Sequence, residues 1–156
     1  MEPQDQHNYT KLATKVNLYA TFFIENRLYG IEVKKVQEIV RTMPITKVPL
    51  APQCVHGLIN LRGQIATAIG LRELFGLAPQ VDTEKMNVVC VTDSGLVSLL
   101  VDRIGDVIEV GEDIFESTPD TISEDVKKFM QGVYKTSGQL LSVLNIDDIS
   151  KYLNSH

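Results

Sequence analysis

Residue types that could act on a substrate are sparse in this chain and poorly spaced for the task. A nucleophile needs a base within hydrogen-bond reach, yet the three histidines are His7 near the start, His56 beside Gly57, and His156 as the last residue. Cys54 and His56 are close enough in sequence to share a metal, but a closed zinc site takes four ligands and no second Cys/His cluster follows. The paired carboxylates Glu112-Asp113 and Asp147-Asp148 are adjacent in sequence, so their side chains diverge on any regular element. They read as turn and helix-start acids. No glycine-rich phosphate loop follows a hydrophobic run, and no serine occupies a nucleophile elbow. Neither catalysis nor a cofactor or metal is expected, which turns attention to the elements and the surface they build.

The bulk numbers bound the class of protein and exclude some partners. The 156 residues are 44% hydrophobic and 22% charged, a globular composition. Net charge is −5 with Lys and Arg scattered, so no nucleic-acid partner is expected. The longest apolar runs, such as LVSLLV, fall far short of the roughly 20 residues that span a bilayer, so any membrane association is expected to be indirect. Cys54 and Cys90 fit free thiols in a reducing cytosol, and a cytoplasmic location is expected.

Short apolar and β-branched runs alternate with turn signals, which predicts a mostly β fold. The expected strands are Leu18 to Glu25, Leu28 to Val33, Gln37 to Arg41, Gly57 to Arg62, Gln64 to Ile69, Asn87 to Thr92, Leu96 to Asp102, Asp106 to Val110, Gly132 to Thr136 and Gln139 to Asn145. Glu25-Asn26-Arg27, Arg62-Gly63-Gln64, Asp93-Ser94-Gly95 and Ser137-Gly138-Gln139 carry the residues tight turns require. Expected helices are few: Leu71 to Phe75 closed by Gly76, Glu124 to Gln131 behind a Ser123 cap, and Ile146 to Leu153.

GLINLRGQIATAIGLRELF (Gly57 to Phe75) lies over GVYKTSGQLLSVLNIDDIS (Gly132 to Ser150) at a constant shift, and LYGIEVKKVQEIV (Leu28 to Val40) over LVSLLVDRIGDVI (Leu96 to Ile108). Two small β-barrel subdomains in one domain are therefore expected. The first covers about 18–77, the linker about 78–85 and the second about 86–153, with strands open to exchange between them, behind a polar tail of 1–17. The repeat is also an internal control. Gly57 and Gly63 recur as Gly132 and Gly138, which points to backbone geometry. Arg62 falls opposite Ser137 and Asn60 opposite Lys135, so the shared fold demands neither side chain and both become contact candidates.

Three stretches carry a family resemblance: LYGIEVKKVQEIV, VPLAPQCVHGLINLRGQIATAIGLRELFG and VSLLVDRIGDVIEV. Together they resemble the CheW family from about Leu18 to Leu153, most distinctively in the string Pro52, Gly57, Asn60, Arg62, Gly63. The chain departs from the family at Gly70, where an acidic helix cap is usual. The resemblance implies two five-stranded barrels around a shared core. It also implies an adaptor that joins the cytoplasmic hairpin tip of chemoreceptors to the regulatory domain of a CheA-type histidine kinase. It further implies receptor contacts at Val36, Glu38, Ile39, Gly57, Asn60 and Arg62, with a Glu38 to Arg62 pair at the rim, and kinase contacts at Phe115, Asp120 and Ile122. A CheW-like module of a pilus-motility or other receptor-kinase pathway, and a small-ligand-binding β-barrel, remain as alternatives.

Overall fold

The computed structural model describes residues 15–80 and 84–155. The expected tail up to residue 14, with its His7, the linker residues 81–83 and His156 lie outside the described residues.

The alternating apolar runs fold as β1 (Val16–Ile24), β2 (Arg27–Glu32), β3 (Val36–Arg41), β4 (Val55–Leu61), β5 (Gln64–Gly70), helix α1 (Leu71–Leu74), β6 (Met86–Thr92), β7 (Gly95–Val101), β8 (Arg103–Gly111), β9 (Phe115–Glu116), α2 (Glu124–Lys127), β10 (Met130–Thr136), β11 (Gln139–Leu144) and α3 (Ile146–Asn154). The fold is mostly β, as expected. It has a six-stranded sheet in the order β8-β1-β2-β11-β10-β9 and a five-stranded sheet in the order β3-β6-β7-β5-β4.

Neither sheet comes from one side of the linker. Each takes the opening hairpin of one half and the remaining strands of the other. The two hairpins join through parallel pairs in matching register: Ala66 faces Leu96 and Thr67 faces Val97, while Leu141 faces Leu28 and Ser142 faces Tyr29. The antiparallel joints match as well. Val36 pairs Cys90 and Ile39 pairs Val88 across β3 and β6, and their repeat counterparts Ile104 and Val107 pair Phe22 and Ala20 across β8 and β1. Even the bulge between Val55 and Gly57 recurs between Met130 and Gly132. The repeat seen in sequence is thus a repeat of register, with strand, turn, strand and helix in the same order.

Packing follows the same plan. Tyr19, Leu28, Val110, Tyr134, Leu141 and Val143 fill the inside of the six-stranded sheet, and Ile59, Leu61, Ala66, Ala68 and Val89 that of the five-stranded sheet. A larger cluster draws on both sheets, from Phe22 and Tyr29 to Ile69, Leu99 and Leu144, and the helices add Leu71 and Leu74, then Ile146 and Ile149. The helices are short because their task is to cover this shared core.

Some bounds differ from expectation. β8 is longer than Asp106 to Val110 because its edge pairs with β1 from Val16 to Phe23. The helix expected from Glu124 to Gln131 is a single turn, since Met130 is taken by β11. Ser123 stands at its start without a side-chain cap bond. α3 is capped by Asn145, whose side chain accepts from the amides of Asp147 and Asp148. Gly70 stands in the corresponding place before α1 and has no side chain to offer.

Ion pairs cross between the halves. The buried Arg72 on α1 grips Asp102 with Nε at 3.0 and 3.1 Å and Nη2 at 2.7 Å, and also donates to the Ala78 carbonyl at 2.9 Å. Burial alone pushes the Asp102 carboxyl up, but hydrogen bonds from Arg72 and the Glu25 amide outweigh it and hold the group below its ordinary value. On the other side, Lys35 meets Asp147 of α3 at 3.1 Å.

A carboxyl depressed by folding contributes stability that is complete above its unfolded pKa, roughly 4, and is lost as pH falls through the folded value. Arg72→Ala leaves Asp102 charged and largely enclosed, so urea unfolding at pH 7 should show a loss of about 3 kcal/mol. At pH 3.5 the gap to the parent should narrow, because protonation relieves the stranded carboxylate. An equal gap at both pH values would contradict this account.

Candidate functional site

The candidate contact residues gather where the two edges of the five-stranded sheet curl toward each other. β3 and β4 are its outer strands, yet Arg62, in the turn after β4, reaches Glu38 on β3 with a 2.5 Å contact from its guanidinium to the carboxylate. Gln37 donates to Gln64 across the same seam at 3.2 Å. The expected Glu38 to Arg62 pair is therefore present in the structure.

Local sequence explains the geometry. Arg62 has φ 53° and Gly63 φ 91°, the doubly left-handed two-residue turn that suits the twist of a hairpin. Asn60 accepts the Gly63 amide at 2.9 Å and so braces the turn as well as facing solvent. Asn or Gly is the usual occupant of a left-handed position. An arginine there is a local conflict, and such conflicts gather at functional sites. The equivalent hairpin of the second half shows positive φ at Gly138 alone of its Ser137-Gly138 turn, so the two turns differ in backbone as well as side chain.

Burial alternates along β3. Val36 is half-buried against the main core, while Ile39 is exposed, so the two do not form the continuous apolar patch their spacing suggests. Glu38 retains 19% of its side-chain exposure and Arg62 75%, which leaves most of the guanidinium free for another acceptor. Arg62 donating to Glu38 holds the carboxyl below the usual carboxylate range, so the pair is fully ionised at neutral pH. The apolar residue that sequence reasoning missed is Ile65, paired with Asn60 across the hairpin and exposed. Its counterpart Leu140 is only partly buried and packs against the core, and an isoleucine next to a turn carries no other signal.

Gly57 is placed differently from its neighbours. It is buried at φ 146°, and a Cβ would overlap the Thr46 carbonyl and the Ile45 side chain. Thr46 bridges Leu58 here, just as Glu116 of β9 pairs Val133 in the other half. A Cβ on Gly132 would overlap Glu116 and the Phe115 ring. Gly57 thus admits the strap that crosses β4 and presents no surface of its own.

The residues assigned to kinase contact are not brought together. Phe115 is exposed at the edge, its ring 4.9 Å from that of Tyr134. Asp120 is exposed and meets Lys127 at 3.3 Å. Ile122 is buried in the main core, because the segment before α2 folds inward there. His56 points to Glu73 at 3.2 Å, with Cys54 buried nearby in sequence. Among the described residues no group of three or more His, Cys, Asp or Glu is placed to hold a metal, and no helix is long and apolar enough to cross a membrane.

Residues 18–153 match the family model for the CheW-like domain. The chain belongs to the CheW family. It is 33% identical over 132 residues to the chemotaxis protein CheW of Treponema pallidum, with 81% of this chain and 77% of that protein covered. To CheW of Thermotoga maritima it is 30% identical over 129 residues, covering 83% and 84% of the two chains. The scaffolding protein CheW of Thermoanaerobacter tengcongensis has a similar crystal structure, with a TM-score of 0.76 at 28% identity over 84% of this chain and 90% of that one. The CheW match takes in the whole β3 to β5 seam and the whole repeat.

Gly57→Ala and Gly132→Ala should each lower stability by about 2 kcal/mol in urea unfolding, the left-handed strain at Gly57 adding to the lost room for its strap. A loss at only one of them would break the equivalence of the two straps.

Proposed function

We propose that this chain is a non-catalytic coupling adaptor of chemotaxis, joining the cytoplasmic hairpin tip of a chemoreceptor to the regulatory domain of a CheA-type histidine kinase. Its place at the inner-membrane receptor array is then held through partners, from the cytoplasm. The observation that carries the receptor half of this reading is the Glu38–Arg62 pair at the seam. An exposed pair of this kind adds little to stability, and its arginine occupies a backbone conformation other residues fill better. Recognition supplies the reason that folding does not. A helical hairpin docking here meets exposed Ile39 and Ile65, with Glu38, Asn60 and the free side of Arg62 to set register.

Val36 and Gly57 act in this reading from beneath, through the position of β3 and of the strap. Phe115 and Asp120 are the exposed candidates for the kinase side, with Ile122 supporting their loop from the core. Among the described residues no group of three or more His, Cys, Asp or Glu is placed to hold a metal, and an adaptor of this kind transfers no phosphate of its own.

Arg62→Asn separates recognition from folding. Asparagine accepts left-handed φ, so the melting temperature should stay within about 2 °C of the parent or rise. Affinity for a receptor fragment should fall about thirtyfold, as for an interface arginine that is truncated, and receptor-controlled kinase activity should fall with it. Normal coupling by a variant that melts like the parent would show that the receptor binds elsewhere.

A further inference from the structure

At the turn between β4 and β5 the side-chain acceptors are already engaged within the chain. Asn60 Oδ1 accepts the Gly63 amide at 2.9 Å, and Gln64 Oε1 accepts the Gln37 side-chain amide at 3.2 Å. The Glu38 carboxylate accepts from Arg62 Nη2 and keeps only 19% of its side-chain exposure. Gln37 adds to the effect of Arg62 in holding that carboxyl low. What stays open to a partner is the other end of each group. Asn60 and Gln64 are exposed and keep Nδ2 and Nε2. Arg62, 75% exposed, gives Nη2 to Glu38 and keeps Nε and Nη1.

Gln37 reaches across the seam because it is the extra residue of a bulge. The β3–β6 register shifts between Val36 and Glu38, and a bulge re-aims the side chain it carries. In the second half Gly105 stands in the place of Gln37 and Ser137 in that of Arg62. Lys135, in the place of Asn60, meets Glu116 at 3.6 Å. The set of outward N–H donors therefore belongs to the first half alone, and the shared fold does not require it.

We propose that the partner docking at this seam presents a carboxylate to Arg62, which, on the receptor reading above, is an aspartate or glutamate side chain of the chemoreceptor hairpin. Donors set against donors would lose the hydrogen bonds that each makes with water, so a lysine or arginine of the partner does not fit here. A helix uses its backbone carbonyls in its own ladder, which leaves side chains as the acceptors that a helical hairpin can offer. A carboxylate only accepts, and it meets a planar guanidinium with two parallel bonds. The amides of Asn60 and Gln64 stand on either side of Arg62 in the turn and add donors for the same group or its neighbours. Ile39 follows Glu38 and Ile65 follows Gln64, both exposed, and they give the contact an apolar border.

The test is a double-mutant cycle between the full chain and a receptor hairpin fragment. Each exposed aspartate and glutamate of the fragment is changed in turn to asparagine or glutamine, and affinity is measured by calorimetry against the parent and against Arg62→Asn. One such change should weaken binding to the parent about tenfold while altering binding to Arg62→Asn by no more than about twofold. If every change acts equally on parent and variant, no carboxylate faces Arg62 and the pairing is overturned. Backbone amide shifts of the labelled chain separate this result from a failure of the receptor reading. Shifts at residues 59–65 without a coupled acid overturn the carboxylate alone, whereas shifts confined to other residues, or no binding, overturn both.

Discussion

Everything in this structure depends on a single constraint: each half of the chain is two strands short of a sheet, and only the other half can supply them. A small β unit alone buries too little to be stable. Lending β1-β2 to one sheet and β6-β7 to the other ties both barrels to one shared core, where Phe22, Leu71, Leu99 and Ile149 meet. Arg72 and Asp102 then fix one joint and Lys35 and Asp147 the other. The straps at Gly57 and Gly132, the bulges before them and the short covering helices are all local answers to closing a sheet whose strands come from distant parts of the chain.

The β3 to β5 seam, proposed above as the receptor surface, inherits its rigidity from this arrangement. β3 is an edge strand, which by itself would be a loose platform. It is held along its length by β6, and at its far end the buried Asn87 donates to the Arg41 carbonyl at 3.1 Å while accepting from Ser98 at 2.8 Å. Across the gap, the Glu38–Arg62 and Gln37–Gln64 contacts draw β3 toward the β4–β5 hairpin. If the proposed receptor docks here, a surface set on two held strands loses little order when it arrives. The same place in the second half holds Asp106, Val107 and Ser137, without an arginine in the turn, so a duplicated frame has been specialised on one side only.

Much of this was legible in the sequence. Periodicity located the strands because apolar residues recur at the spacing of a pleat. The repeat foretold matching hairpins because Gly57 and Gly132 answer the same crowding. The comparison of Arg62 with Ser137 marked the arginine as a side chain the shared fold does not require, and the two turns do differ in backbone. Other features were hidden for physical reasons. Which strands exchange is set by register across long sequence distances, and no local pattern records it. Val36 and Ile39 look like one apolar patch until burial places Val36 against the core. Ile122 looks like a loop residue until the chain turns inward at Pro119, where the Ile122 amide donates to the Pro119 carbonyl at 3.2 Å. Ile65 carried no sign that it would stay exposed.

The receptor surface proposed above is the β3 to β5 seam and not its counterpart in the second half. Backbone amide chemical shifts, followed while a receptor hairpin fragment is titrated into the labelled protein, test it most directly because the repeat supplies the control within one molecule. Shifts should concentrate at residues 36–41 and 59–65, with Ile104, Asp106, Val107 and Ser137 unmoved. Shifts centred on the second-half residues, or spread equally over both, would contradict it.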